Sequence, residues 1–439
     1  MSGAVRWAPD NLAVAKGHDM GATELNSLDA APSALNYVSG AEALSLNPGS
    51  ARWSADGLAD RARRVAAVAA QYAGSVDQEA RFPAEAIAAA KAEGLMGVMV
   101  SRTLGGEGAS TGEVADICYA LGQACASAGL IFAMHQVKIA CIVRHAEAGG
   151  WHEGFLRRLT EHQWLVASST TEGQAGGDVR SSAAAVAPEG GRIKLDRDAS
   201  VISYGDYADA IATTARRSDD AAASDQVLLV IEKADYSLTR TQTWDTLGMR
   251  GTCSTGFALK ADADRVQILP EPYSVIHSQS MVPSAHIFWS SVWAGIAAAS
   301  VEKARLFIRK AARGAGGQPP PAAAYLGRAT SSMRAMRALI KTTLDRYEAI
   351  QDDSAALGAI EFQTTINLLK VDASELAVVT VMSAMRACGL SGYRNDSDAS
   401  VGRHLRDVLS SPIMINNDRI LANLANSSLL TETPKTLRG

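Results

Sequence analysis

The chain has 439 residues, of which 47% are hydrophobic and 20% are charged, and its formal net charge is −4. This balance is typical of an ordinary globular protein, and the length allows two or three domains. The lack of a basic excess argues against a nucleic-acid-binding protein. Aromatic residues are only 5% of the chain, while alanine is frequent, which favours close-packed helices over a large sheet.

The five cysteines are scattered and form no Cys-x-x-Cys pair, so we expect reduced, mostly buried thiols in a cytoplasmic protein. No segment near the N-terminus combines basic residues with a long apolar run, so we expect no secretory signal. The most apolar windows, such as residues 287–301, are too short and too polar to span a bilayer. We therefore expect no membrane span.

Residues 1–53 show no clear periodicity and are rich in Ala, Ser, Asn and Gly, which is typical of an N-terminal extension. Helical periodicity begins near residue 54. In the segment FPAEAIAAAKAEGL, Pro83 suits a first helical turn and Gly94 suits a helix end, with good helix formers between them. The pattern predicts an N-terminal helical domain over residues 54–163.

Residues 164–274 change to short runs typical of β-strands, separated by Gly, Asp and Ser turns. The segment EGGR at residues 189–192 indicates a hairpin, and VLLVIE at residues 227–232 indicates a buried strand. The pattern predicts a small, β-barrel-like and mostly antiparallel domain.

Residues 275–430 return to helical periodicity, which indicates an antiparallel four-helix bundle. The predicted long helices cover residues 285–313, 322–350, 356–388 and 409–424. A Gly- and Pro-rich linker at residues 314–321 separates the first two. The predicted fold class is α+β and mostly α, with a helical domain, a β domain and a four-helix bundle in that order.

Several motifs lie at the joints between these parts. They are RFPAEAIAAAKAEGLMGVMVSRTLGGEG at 81–108, TTEGQAGGDV at 170–179, VISYGDYADA at 201–210, LGMRGTCSTGF at 247–257, CGLSGY at 388–393 and RHLRDVLSSPIMINNDRI at 403–420. In this order they resemble the acyl-CoA dehydrogenase superfamily, over about residues 55–425. The resemblance implies a flavin-dependent oxidoreductase that binds FAD, or FMN if it belongs to the flavin-monooxygenase branch.

The stretch SSTTEGQAGGDV at 168–179 places hydroxyls and glycines directly after the apolar segment WLVA. Taken alone, it is typical of a polar loop that leaves a strand. Hydroxyls and backbone N–H groups also pair with the carbonyl and nitrogen edge of a flavin without bringing in charge. By the resemblance, three of these side chains line that edge and a fourth lies near flavin N5: Ser168, Thr170, Thr171 and, at N5, Ser203.

The resemblance also implies weaker flavin contacts. Gly176 and Gly177 would let the cofactor approach the backbone closely. Arg309 keeps the arginine of a family segment that reaches the cofactor of a neighbouring subunit, where it would pair with the pyrophosphate. The alternative for Arg309 is a solvated arginine on a helix face. Gly389 matches the glycine that forms a turn in the family's loop at the cofactor of the partner subunit. Val201 stands where the family has a tryptophan that covers the flavin.

The catalytic carboxylate of the family is absent from the two positions commonly used for it, which here hold Ala285 and Ile415. A carboxylate there would remove the α-proton while hydride moves to the flavin. The candidates for a displaced base are His135, His286 and Asp418. The alternatives are packing or hydrogen bonding for the histidines and helix capping for the aspartate.

Three functions follow from the resemblance. The first is an acyl-CoA dehydrogenase-like oxidoreductase that takes hydride from an acyl thioester and passes electrons to an electron-transfer flavoprotein. The second is a two-component flavin monooxygenase that receives reduced flavin from a flavin reductase, with His135 controlling protonation of the peroxide. The third is a non-catalytic subunit of a hetero-oligomer. Small residues at 294–299 suggest a homodimer or homotetramer, since relatives assemble through the bundle.

Overall fold

The computed structural model describes residues 57–172, 179–429 and 435–436, so the predicted N-terminal extension lies outside the described residues. The predicted helical segment that follows is helical in the structure. Pro83 directly precedes a helix, and Gly94 follows its end with a φ of 71°. The helices are α1 (Leu58–Gln78), α2 (Ala84–Ala92), α3 (Thr111–Ala124), α4 (Ala126–His145) and α5 (Trp151–His162).

Helix α4 is the one described helix that is long and apolar enough to cross a membrane. Within the fold, 89% of its most apolar window is buried by other parts of the protein. Its apolar surface is therefore accounted for by the core that surrounds it.

The described part of the chain contains seven strands: β1 (Val166–Ser169), β2 (Ala187–Glu189), β3 (Arg192–Ile202), β4 (Ala210–Arg216), β5 (Gln226–Glu232), β6 (Tyr236–Arg240) and β7 (Thr255–Asp264). They form two sheets, with orders β1-β4-β5 and β2-β3-β7-β6. The predicted hairpin is present, with Glu189 opposite Arg192. The pairing is antiparallel except between β1 and β4, which are parallel.

The C-terminal part is again helical, and the predicted fold class is confirmed. A π-helical turn at His277–Met281 connects α6 (Tyr273–Ile276) to α7 (Val282–Gly314). The boundaries proposed for the separate domains stay predictions, since all these elements belong to one compact unit, Ala51–Gly439. The helices are α6 (Tyr273–Ile276), α7 (Val282–Gly314), α8 (Ala323–Ile350), α9 (Ser354–Gly358), α10 (Ile360–Cys388), α11 (Leu390–Tyr393), α12 (Gly402–Val408) and α13 (Asn417–Ser428).

The predicted helix over residues 409–424 is wrong in its first half, because α12 ends at Val408 and α13 begins only at Asn417. Pro412 has no N–H with which to continue a helix. The hydroxyls of Ser410 and Ser411 donate to the carbonyl oxygens three residues back, at 2.6 and 2.7 Å, and so end the helix locally. The bundle therefore has three long helices, α7, α8 and α10, followed by short ones.

The small residues of α7 pack inside the chain. Ala294, Gly295 and Ala297 are buried, and Gly295 faces Gly122 and its neighbours on α3. Such glycines let two helix backbones approach closely. The small-residue run around 294–299 therefore gives no support to the predicted oligomer, which stays a prediction.

Candidate functional site

A cavity of about 630 Å³ lies where the helices meet the small sheets. It is bordered by α4, the ends of β1 and β3, the π-helical turn, α7, the start of α10 and the segment that leads into α13. Eight residues singled out in the sequence line it together: Ser168, Thr170, Thr171, Val201, Ser203, Ala285, His286 and Ile415.

The hydroxyl side of the cavity comes from the end of β1. Side chains alternate along a strand, so Ser168 lines the cavity while Ser169 is buried away from it. Thr170, which follows the end of the strand, lines the cavity too. Thr171 Oγ1 accepts a hydrogen bond from Ser200 Oγ at 3.3 Å. The predicted contacts Gly176 and Gly177 lie outside the described residues.

Ser203 belongs to a relay of three hydroxyls. Its Oγ lies 2.7 Å from Ser254 Oγ, which lies 2.8 Å from Thr252 Oγ1. Thr252 donates its single proton to the Met249 carbonyl oxygen at 2.9 Å, so it accepts from Ser254, and Ser254 in turn accepts from Ser203. The relay leaves Ser203 as a hydrogen-bond acceptor for whatever occupies the cavity.

His286 lines the cavity with its tautomer fixed. Its Nδ1 donates to the Ile366 carbonyl oxygen at 2.9 Å, so Nε2 carries the lone pair. Burial lowers the pKa of His286 to about 3. At neutral pH the ring is therefore uncharged, and it is better suited to accepting a hydrogen bond than to taking up a proton.

The two positions without a base, Ala285 and Ile415, both line the cavity. Ile415 has a φ of 48°, which is strained for a β-branched residue. Lys370 on α10 holds this turn, because its Nζ donates to the Ile415 carbonyl oxygen at 2.8 Å and to Asn417 Oδ1 at 2.6 Å. Burial lowers the pKa of Lys370 to about 7.

The buried Lys370 predicts a specific pH dependence of stability. Its pKa is about 7 in the folded protein against an ordinary 10.5, so the unfolded chain binds more protons between these pH values and the stability contribution of Lys370 rises with pH. Relative to Lys370→Met, the free energy of unfolding of the wild type should rise by up to about 1.4 kcal/mol per pH unit within that window. Urea unfolding of both proteins across the window measures this difference.

The matched control is Lys341→Met, which removes a lysine whose side chain is 73% exposed. Its difference from the wild type should change little with pH. Parallel pH profiles for the wild type and Lys370→Met would contradict the prediction.

The structure does not bring His135 to the cavity. Its Nε2 donates to the Met96 carbonyl oxygen at 2.8 Å, and its Nδ1 accepts from the backbone N–H of Val166 at 3.0 Å. Burial lowers the pKa of His135 to about 4. The neutral ring thus joins α4 to the start of β1. In the structure His135 is a hydrogen-bonded packing residue, which was the alternative to a catalytic base in the sequence analysis.

Three other predicted residues also lie away from the cavity lining. Asp418 is exposed in the first turn of α13, where the backbone N–H of Asp418 donates to Asn416 Oδ1 at 2.8 Å. Arg309 is exposed on α7. Gly389 ends α10 with a φ of 56°. The predicted contacts of Arg309 and Gly389 with the cofactor of a neighbouring subunit stay predictions.

The charge of the cavity lining is one-sided. None of the described lining residues is an aspartate or a glutamate. The basic lining residues are Lys138, Arg180, His277, His286 and Arg419. Sequence reasoning missed Lys138, although a lysine inside the apolar run of α4 was a detectable signal.

Many solved structures share this fold, among them the following three. Dibenzothiophene monooxygenase TdsC from Paenibacillus sp. A11-2, solved with FMN, is 18% identical, with a TM-score of 0.75 over 86% of this chain and 98% of that chain. KijD3, in complex with FMN and dTDP-3-amino-2,3,6-trideoxy-4-keto-3-methyl-D-glucose, is 19% identical, with a TM-score of 0.74 over 88% and 97%. Butyryl-CoA dehydrogenase from Megasphaera elsdenii is 17% identical, with a TM-score of 0.74 over 88% and 100%.

Sequence models of a protein family match the chain in two places. The model of the acyl-CoA dehydrogenase N-terminal domain matches residues 55–185, and that of the acyl-CoA dehydrogenase C-terminal domain matches residues 287–411. No curated protein matches the sequence significantly. The two family matches cover more than half of the chain and agree with the fold and the motifs. The chain belongs to the acyl-CoA dehydrogenase superfamily.

Proposed function

We propose that the protein is a flavin-dependent monooxygenase that receives reduced flavin from a separate flavin reductase. The observation that carries this proposal is the absence of any carboxylate among the described residues that line the cavity, with Ala285 and Ile415 at the two expected base positions. Dehydrogenation of an acyl thioester needs a base for the α-proton. Loss of that base costs about two to four orders of magnitude in rate.

The lining residues fit a flavin. Four hydroxyls line the side of the cavity next to the sheets, and Trp289 Nε1 is a buried donor with no hydrogen-bond partner among the described residues. Arg180 and Arg419, in a lining without a carboxylate among its described residues, favour a cofactor that is negatively charged when reduced. A bound reduced flavin would supply the electrons that activate dioxygen. We choose FMN over FAD because TdsC and KijD3 were solved with FMN.

The residues of this chain have distinct roles in the proposal. Ser203 accepts a hydrogen bond at the flavin edge, since its own proton is held by Ser254. His286 presents an uncharged acceptor from the α7 side. Apolar lining residues such as Met134, Val201 and Val282 exclude water from the reacting centre.

Two mixing experiments, of which only the first is anaerobic throughout, separate this proposal from the dehydrogenase. In the first, the protein with oxidised FMN is mixed with acyl-CoAs of several chain lengths, and we expect no bleaching of the flavin. In the second, the protein with dithionite-reduced FMN is mixed with air-saturated buffer. We expect oxidised flavin to return at a rate different from that of free FMN, because the cavity changes solvent access.

Bleaching by any acyl-CoA would support the dehydrogenase, and reoxidation indistinguishable from that of free FMN would contradict the monooxygenase. The substitution Ser203→Ala tests whether FMN binds in this cavity. Loss of one hydrogen bond of about 1 kcal/mol should weaken FMN binding about fivefold. The control is Ser237→Ala, which removes a hydroxyl from the exposed face of β6 and should leave FMN binding unchanged.

A further inference from the structure

Lys138 is a buried lysine that lines the cavity and has no strong acceptor among the described residues. Its side chain is only 4% exposed. Among the described residues, its polar contact is Met281 Sδ, which accepts from Nζ at 3.5 Å. A thioether is a weak acceptor, and an ammonium has three protons to donate. A buried cation without a strong partner costs folding free energy, so a ligand that completes its hydrogen bonds gains unusually much.

A second donor points at the same sulfur. The Tyr273 hydroxyl donates to Met281 Sδ at 3.2 Å. Met281 closes the π-helical turn between α6 and α7, and such turns occur frequently at functional sites. An ammonium and a hydroxyl therefore converge on one weak acceptor at the cavity wall.

This donor pair lies on the helical side of the cavity. Lys138 is on α4, and Tyr273 and Met281 belong to the helical segment that leads into α7. The hydroxyls proposed for the flavin edge come instead from the ends of β1 and β3. The two sets of polar groups can therefore serve two different ligands.

We propose that Lys138 determines specificity by binding an ionised oxygen, a carboxylate or a phenolate, on an otherwise apolar substrate. The apolar part of that substrate would contact lining residues such as Val137 and Val282. Burial lowers the pKa of Lys138 to about 8, so the ammonium remains mostly protonated at neutral pH. Opposite charges attract strongly where water is excluded. This inference rests on the proposed function for the identity of the site as a substrate cavity.

Binding of matched ligand pairs to the protein with FMN tests the inference without turnover. The probes are benzoate, naphthalene-2-carboxylate and octanoate, each compared with its neutral amide, and calorimetry measures the dissociation constants. The wild type should bind at least one acid about tenfold more tightly than its amide, as expected for hydrogen bonds to a charged group. Lys138→Met should lose that preference, and Lys138→Arg should retain part of it.

The control is again Lys341→Met, which should keep the wild-type preference. FMN binding to Lys138→Met should be unchanged, which shows that the variant folds and that Lys138 does not serve the cofactor. No preference for any acid in the wild type, or the same preference in Lys138→Met, would overturn the inference. A large loss of FMN affinity in Lys138→Met would also overturn it, by assigning the lysine to the flavin. Failure of the wild type to bind FMN would instead contradict the proposed function.

Discussion

Replacing Gly295 with alanine should lower the free energy of unfolding by about 3 kcal/mol. A methyl group at this position would meet the Tyr119 carbonyl oxygen and would lie 2.8 Å from the backbone nitrogen of Gln123, both on α3. These are backbone atoms, so α3 and α7 must move apart to accommodate it. Since α7 also carries His286, FMN binding should weaken as well. Urea unfolding and an FMN titration measure the two effects.

The chain offers a matched control for this substitution. Gly327 lies within α8 and is exposed, and a methyl group there would meet nothing within 4 Å. Both substitutions gain the helix propensity of alanine, worth up to about 1 kcal/mol. Gly327→Ala should therefore stabilise the protein slightly, and the difference between the two variants measures the steric cost alone. Equal stability of the two variants would show that α3 and α7 do not need the close approach.

Glu172→Gln should cost about 3–5 kcal/mol of folding stability, because it leaves the Arg197 guanidinium buried without its counter-charge. Glu172 is 3% exposed and Arg197 is 1% exposed, with Glu172 Oε1 3.3 Å from Arg197 Nη1. The same carboxylate accepts from the backbone N–H groups of Ala183 at 2.5 Å and Ala184 at 3.2 Å. It therefore also holds the segment that pairs with β4. Urea unfolding measures the loss.

Asp196→Asn is the matched control, since Asp196 precedes Arg197 on β3 and lies on the opposite, exposed face. Its carboxylate pairs with Lys260 Nζ at 3.2 Å, and both side chains are about 70% exposed. An exposed pair of this kind contributes less than about 1 kcal/mol. If Glu172→Gln cost no more than this control, the buried pair would not be stabilising the β domain.

The hydroxyl side of the cavity could be predicted from the sequence, because its residues are adjacent in the chain. A strand alternates its side chains between two faces. Ser168 therefore faces the cavity while Ser169 is buried on the other face, and Thr170 and Thr171, which follow directly after the strand, also line the cavity. The motifs likewise predicted the family, since each motif can be recognised from neighbouring residues without the tertiary structure.

The position of His135 in α4 could not be predicted from local sequence patterns. His135 lies in an apolar helix that borders the cavity, but Met134, Val137 and Lys138 are the residues of α4 that line it. Positions i, i+3 and i+4 share one face of a helix, and i+1 points about 100° away. The packing of α4 against β1 determines which face of the helix lines the cavity.

The sequence by itself determined the order of helical and β parts, the family and the hydroxyl edge, because periodicity and short motifs depend on neighbouring residues. The tertiary structure decided what depends on contacts between distant segments. It interrupted the predicted last helix, placed the Lys370 ammonium against the Ile415 carbonyl oxygen and kept His135 out of the cavity. It also left Lys138 at the cavity with a thioether as its polar contact among the described residues. Each of these results depends on the rotation and spacing of packed helices, which local sequence does not encode.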